Sequence, residues 1–77
     1  MIKSLLVARH FETVKDYFEF MGNHAHNWLE SEQAQWIFEH TQDPVFHLVP
    51  DNDRPGYCFQ VYASASAKDL IDYFLRY

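Results

Sequence analysis

The chain has 77 residues, a mass of 9.2 kDa and a formal net charge of −5. Hydrophobic residues make up 48% of it and aromatic residues 18%, with only two Gly and three Pro, which excludes a disordered chain. This length excludes a two-domain enzyme or a repeat array, and no basic stripe of the kind that binds nucleic acid is present. We therefore expect one domain over residues 1–77, with no direct nucleic-acid binding.

The first twenty-two residues fit two structures. Apolar residues recur at helical spacing: Val7, Phe11, Val14, Phe18 and Met21. Residues 2–8 could instead form a strand that leads into a helix begun near Thr13, because Thr13 and Asp16 fit a capping box. Neither Gly nor Pro separates the two halves, so the pattern slightly favours one helix from about Ser4 to Met21, ended by Gly22. Its second apolar face would then need a cover.

Residues 27–41 are predicted to be helical. Asn27 can cap the helix with Glu30 at the third position, and Ser31 is a second candidate for the cap. One side of this helix would carry Leu29, Gln33, Trp36, Ile37 and His40. The segment should end at Asp43-Pro44, because a residue before proline is pushed out of helical geometry.

Two runs of β-branched and aromatic residues, 45–49 and 57–63, flank the turn-forming sequence PDNDRPG at residues 50–56. This arrangement predicts an antiparallel hairpin. On its second strand, Tyr57, Phe59 and Val61 should share one face, opposite Cys58, Gln60 and Tyr62.

Residues 66–77 are predicted to form an amphipathic helix. Ser66 can cap it, with Asp69 three residues on, and Asp72 with Arg76 forms an i,i+4 pair. One stripe of this helix carries Ala67, Leu70, Ile71, Phe74 and Tyr77. Taken together, the elements predict a small α+β domain of two or three helices packed on an antiparallel β-hairpin, with residues 2–8 as the alternative third strand.

The motifs for chemistry are weak. His24-Ala25-His26 is metal-like, but no second pair has ligand spacing, so we predict neither a metal nor a cofactor. Cys58 has no cationic neighbour in sequence, and a pairing with His47 across the hairpin is the one route to activating it. Asp51-Asn52-Asp53 lacks the glycine and glutamate of a calcium loop. We therefore expect a protein that is not an enzyme.

The charges are unevenly distributed. From Asp16 to Asp53 the sequence contains eight acidic residues and no Lys or Arg. Large aromatic residues at the edges of the apolar stripes, among them Phe20, Tyr62 and Tyr73, are candidates for exposed anchors in binding. The sequence thus predicts a partner-binding surface with an acidic rim around aromatic anchors, made of Asp16, Glu19, Trp28, Glu30, Glu32, Trp36, Glu39 and Asp43.

These features favour a small acidic, non-catalytic protein-binding module: an inhibitor, adaptor or antitoxin-like protein that meets a basic surface, such as that of a nucleic-acid-handling protein. Small acidic products of mobile elements share this composition, which is an analogy and not a family match. The alternatives are a self-associating subunit, in which the spare face of the first helix packs on its copy as a homodimer, and a regulator that responds to metal or pH through its histidines.

The expected location is the cytoplasm. One cysteine, Cys58, cannot form an internal disulfide, which argues against a secreted disulfide scaffold. The apolar run Ser4–Ala8 is too short for a signal-peptide core or a membrane span, so no membrane association is expected.

Overall fold

A three-stranded antiparallel sheet carries helices against one of its faces. The computed structural model describes residues 1–22 and 27–77. In chain order the elements are β1 (Ile2–Phe11), α1 (Val14–Gly22), a 3-10 helix (Trp28–Glu30), α2 (Glu32–His40), β2 (Gln42–Pro50), β3 (Tyr57–Ala65) and α3 (Ala67–Arg76). The strand order is β1-β3-β2, so the last strand is the central one. The predicted α+β class, including the alternative third strand, is confirmed.

The N-terminal segment is a strand followed by a helix, so the favoured single helix from Ser4 to Met21 is wrong. β1 pairs antiparallel with β3, and its register shifts between Leu5 and Val7. This irregularity obscures the alternation that would mark a strand in the sequence. Pairing with β3 also satisfies backbone groups along one side of β1, from Ile2 to Phe11 except at Leu6, and local periodicity cannot reveal this gain. The alternative is confirmed for α1, because Thr13 Oγ1 accepts a hydrogen bond from the backbone N–H of Asp16 at 3.1 Å.

The predicted helix over residues 27–41 is divided into two parts at Ser31. Both candidate caps are used: Asn27 accepts from the N–H of Leu29 at the 3-10 helix, and Ser31 accepts from the N–H of Ala34 at α2. α2 ends at His40, and β2 begins at Gln42. The helix therefore ends three residues before Asp43, the point at which the sequence predicts that the segment ends.

The hairpin of β2 and β3 is confirmed, and its two faces differ as predicted. Phe59 and Val61 are fully buried, while Cys58, Gln60 and Tyr62 are only partly covered. Tyr57, expected to share the buried face, is partly covered as well. The core therefore lies on one face of the sheet.

Gly56 closes the loop between β2 and β3. Its φ of +120° is a backbone conformation that residues other than glycine rarely adopt. A Cβ at this position would lie 2.5 Å from the carbonyl oxygen of Phe11. The N–H of Asp51 donates to the carbonyl of Gly56 at 3.1 Å. The loop thus packs directly against the end of β1.

Helix α3 is capped by Ser66 as predicted, but it buries a different stripe. Ser66 accepts from the N–H of Asp69 at 3.2 Å, and Arg76 lies 3.5 Å from Asp72. Of the predicted stripe only Leu70 is buried, and the second core residue is Tyr73. The remaining members of the stripe are exposed: Ala67, Ile71, Phe74 and Tyr77. The helix turns this way because the Tyr73 hydroxyl finds hydrogen-bond partners inside the fold.

Candidate functional site

Five of the six acidic residues of the predicted binding surface lie on the helical side of the molecule, and Asp43 lies on β2. Asp16 and Glu19 are on α1, Glu30 is in the 3-10 helix, Glu32 and Glu39 are on α2, and Asp43 is on β2; all six side chains are exposed. Among the described residues, none of these six carboxylates lies within 4 Å of a Lys or Arg nitrogen. Lys15 is the one cation in the segment from α1 to α2. This side of the molecule therefore carries excess negative charge.

Trp28 and Trp36 are buried, so the prediction that they form exposed anchors is wrong. Trp28 packs edge-on against Phe59, with ring centroids 5.4 Å apart, and its Nε1 donates to Gln33 at 3.2 Å. Trp36 packs against Tyr73, with centroids 5.0 Å apart. A domain this short needs its largest rings to build a core, which is why they turn inward. Tyr73, also a candidate anchor, is buried for the same reason.

Two other exposed aromatic residues, both phenylalanines, contact each other on α2 and β2. Phe38 on α2 and Phe46 on β2 are 44% and 38% exposed, and their ring centroids are 6.0 Å apart. Phe46 also contacts Trp28 and Phe59, so the pair continues the core outward to the surface. Sequence reasoning missed Phe38, although a phenylalanine outside the apolar side of an amphipathic helix was a usable signal.

Two carboxylates lie close to this pair of rings in the sequence. Glu39 directly follows Phe38 on α2, and Asp43 lies three residues before Phe46 on β2. We call Phe38, Glu39, Asp43 and Phe46 the Phe38–Phe46 edge. β2 is an outer strand of the sheet, and α2 contacts it. The Phe38–Phe46 edge combines apolar rings with uncompensated negative charge, which is a combination suited to binding rather than to bond chemistry.

A second polar cluster lies at the loop between β2 and β3. His10 Nδ1 and Asp51 Oδ2 are 2.8 Å apart, and Arg54 Nε is 3.8 Å from the same oxygen. Two hydrogen bonds hold the pKa of the Asp51 carboxyl below its ordinary value. The larger effect comes from the backbone N–H of Asp53 and the smaller one from the side chain of His10. The backbone N–H of Asp53 donates to Asp51 Oδ1 at 2.9 Å, which forms an Asx turn. These bonds tie the loop to β1.

The register of the sheet does not pair Cys58 directly with His47. Cys58 is opposite Val49 on β2 and His47 is opposite Gln60, so the two are diagonal neighbours, and no hydrogen bond joins them among the described residues. The Sγ of Cys58 contacts the carbonyl of Phe59 at 3.9 Å. A depression on α1 beside Phe18 is open surface and not an enclosed site.

The histidine motif His24-Ala25-His26 lies outside the described residues. Within residues 1–22 and 27–77, no three His, Cys, Asp or Glu side chains are grouped to hold a metal ion. No helix in these ranges is long and apolar enough to cross a membrane.

No family model matches the chain, and neither a curated protein nor a solved structure matches it. Any proposal about function therefore rests on the geometry and charge described above.

Proposed function

We propose that this protein is a non-catalytic protein-binding module whose Phe38–Phe46 edge binds a basic segment of a partner protein. The observation that carries the proposal is the contact of two exposed rings, with centroids 6.0 Å apart, on elements that also carry Glu39 and Asp43, which no Lys or Arg of the described chain neutralises. An inhibitor, adaptor or antitoxin-like protein would use such a surface.

The chemistry of the edge favours arginine in the partner. A guanidinium stacks on an aromatic face and can pair at the same time with a carboxylate such as Glu39 or Asp43. The remaining carboxylates of the helical side attract a basic partner from a distance and repel a nucleic acid. We therefore propose a basic protein as the partner, for example one that itself handles nucleic acid, and not the nucleic acid.

The location that fits this proposal is the cytoplasm. The chain holds one cysteine, Cys58, and a single thiol suits a reducing compartment.

The test uses a fluorescently labelled peptide of alternating arginine and leucine, followed by anisotropy. Phe38→Ala should weaken binding by about tenfold or more, since truncating an anchor ring costs at least ~1.4 kcal/mol. Phe18→Ala is the matched control, because Phe18 is an exposed phenylalanine on α1, away from the edge. The control should bind like the wild type. Equal losses in the two variants would contradict the proposal.

Charge is tested with the same peptide. Glu39→Lys should weaken binding several-fold at low salt, and the difference from the wild type should shrink as salt screens the charges. Asp53→Lys makes the same charge change in the loop between β2 and β3, and it should have a much smaller effect. A peptide of alternating glutamate and leucine that bound equally well would also refute a basic partner.

A further inference from the structure

Helix α3 presents more apolar surface than the core covers. Leu70 and Tyr73 face the core, but Ile71, Phe74 and Leu75 are 64%, 56% and 82% exposed. These three residues are neighbours on one side of the helix, since residues three and four apart lie next to each other. We call Ile71, Phe74 and Leu75 the α3 stripe.

The α3 stripe is one contiguous apolar patch on the surface of a small domain. With roughly 200 Å² for a fully exposed large side chain, its three members present about 400 Å² of apolar area. One partner of a standard protein interface buries about 800 Å² in total, and its centre is the apolar part. The α3 stripe thus supplies the apolar centre of an interface of ordinary size.

The charges on α3 indicate what covers the stripe. Lys68 and Arg76 balance Asp69 and Asp72 within this helix, so the whole net charge of −5 belongs to the rest of the chain. Two copies can therefore meet at α3 without net repulsion, whereas the acidic helices α1 and α2 of the two copies repel each other. An anionic lipid surface would be repelled by the remainder of the molecule.

We propose that the α3 stripe pairs with the same stripe of a second copy, antiparallel about a two-fold axis. A two-fold contact must be self-complementary, and α3 meets this condition. With Ile71 near the axis, Leu75 of each copy lies opposite the small residue Ala67 of the other. Lys68 of each copy then lies on the same flank as Asp72 of the other, within one helical turn of it. This surface is separate from the Phe38–Phe46 edge, so the inference does not depend on the proposed function.

The experiment is sedimentation equilibrium of the full chain from about 5 to 500 µM, a range that covers moderate self-affinity. The wild type should form dimers. Leu75→Glu should raise the dissociation constant by at least about a hundredfold, because it places two charges in the apolar centre. Phe18→Glu is the control, since Phe18 on α1 is also 64% exposed, and it should dimerise like the wild type. Circular dichroism checks that both variants are folded.

A charge swap tests the orientation of the two helices. Lys68→Asp should weaken dimerisation several-fold, because it brings two carboxylates of the two copies within one helical turn, and adding Asp72→Lys should restore the affinity. A wild type that stays monomeric at the highest concentration would overturn the proposal. Equal effects of Leu75→Glu and Phe18→Glu would overturn it as well. So would a monomer whose α3 stripe binds phosphatidylcholine vesicles, since the occupant would then be lipid.

Discussion

The hydroxyl of Tyr73 links three elements of the fold, and Tyr73→Phe removes that one group. The hydroxyl donates to the carbonyl of Leu6 in β1 at 2.5 Å and accepts from Nε2 of Gln33 in α2 at 2.9 Å. Gln33 in turn accepts from the indole N–H of Trp28 at 3.2 Å. The ring of Tyr73 is almost completely buried, so phenylalanine keeps the packing and opens no large cavity.

The expected cost of Tyr73→Phe follows from the two bonds that it breaks. A net hydrogen bond contributes about 1 kcal/mol, and a buried polar group left without a partner costs about 1–3 kcal/mol. The carbonyl of Leu6 and the amide of Gln33 both lose their partner, so we expect the free energy of unfolding to fall by about 2–3 kcal/mol. For a domain of this size, that loss lowers Tm by roughly 10–20 °C.

Urea and thermal unfolding followed by circular dichroism measure this loss. Tyr77→Phe is the matched control, because Tyr77 caps the same helix and is about half exposed. It should change the free energy of unfolding by less than about 0.5 kcal/mol. A double-mutant cycle of Tyr73→Phe with Gln33→Leu should show coupling of about 0.5 kcal/mol or more. A Tyr73→Phe variant as stable as Tyr77→Phe would refute the reasoning.

Two further predictions concern the loop between β2 and β3. Gly56→Ala should destabilise the fold by more than about 2 kcal/mol in urea unfolding, because its φ is positive and its Cβ would meet backbone. Gly22→Ala, which meets open space, should be neutral or slightly stabilising, and equal effects of the two would contradict this account. The N–H of Asp53 and the side chain of His10 lower the pKa of Asp51 in the fold. The stability that they add is therefore present above the ordinary pKa of 3.8 and is lost as pH falls through the lower folded value. The advantage of the wild type over Asp51→Asn should shrink across that range, and an advantage independent of pH would argue against it.

Local signals predicted the elements whose ends and faces depend on neighbouring residues. Ser66 caps α3, and Asn27 and Ser31 both cap helices, because a side-chain oxygen needs only a free N–H two or three residues ahead. The hairpin was readable because the residues at 50–56 that permit a reversal lie between two strand-forming runs. Both the helix caps and the hairpin could be predicted because the residues that form them are close together in the sequence.

The candidate site was only partly readable. The excess of carboxylates on the helical side follows from the absence of Lys and Arg between Asp16 and Asp53. Which aromatic residues are exposed could not be predicted, because a ring at the edge of an apolar stripe can pack into the core or face solvent. Trp28 and Trp36 turned inward, and Phe38 was left outside.

The amino-acid order is enough to specify a small acidic α+β domain, its turn and its helix caps, since these depend on composition and on contacts a few residues long. The identity of β1 as a strand and the side of α3 that is buried depend on partners far away in the chain. β1 is a strand because β3 pairs with it, from Phe11 with Tyr57 to Ile2 with Ala65, at separations of 46 to 63 residues. Tyr73 faces inward, where its hydroxyl hydrogen-bonds with the carbonyl of Leu6 and the side chain of Gln33. This orientation of the helix leaves the α3 stripe exposed. Local periodicity cannot predict a hydrogen bond between residues 67 positions apart. The tertiary structure therefore decides which surfaces are exposed.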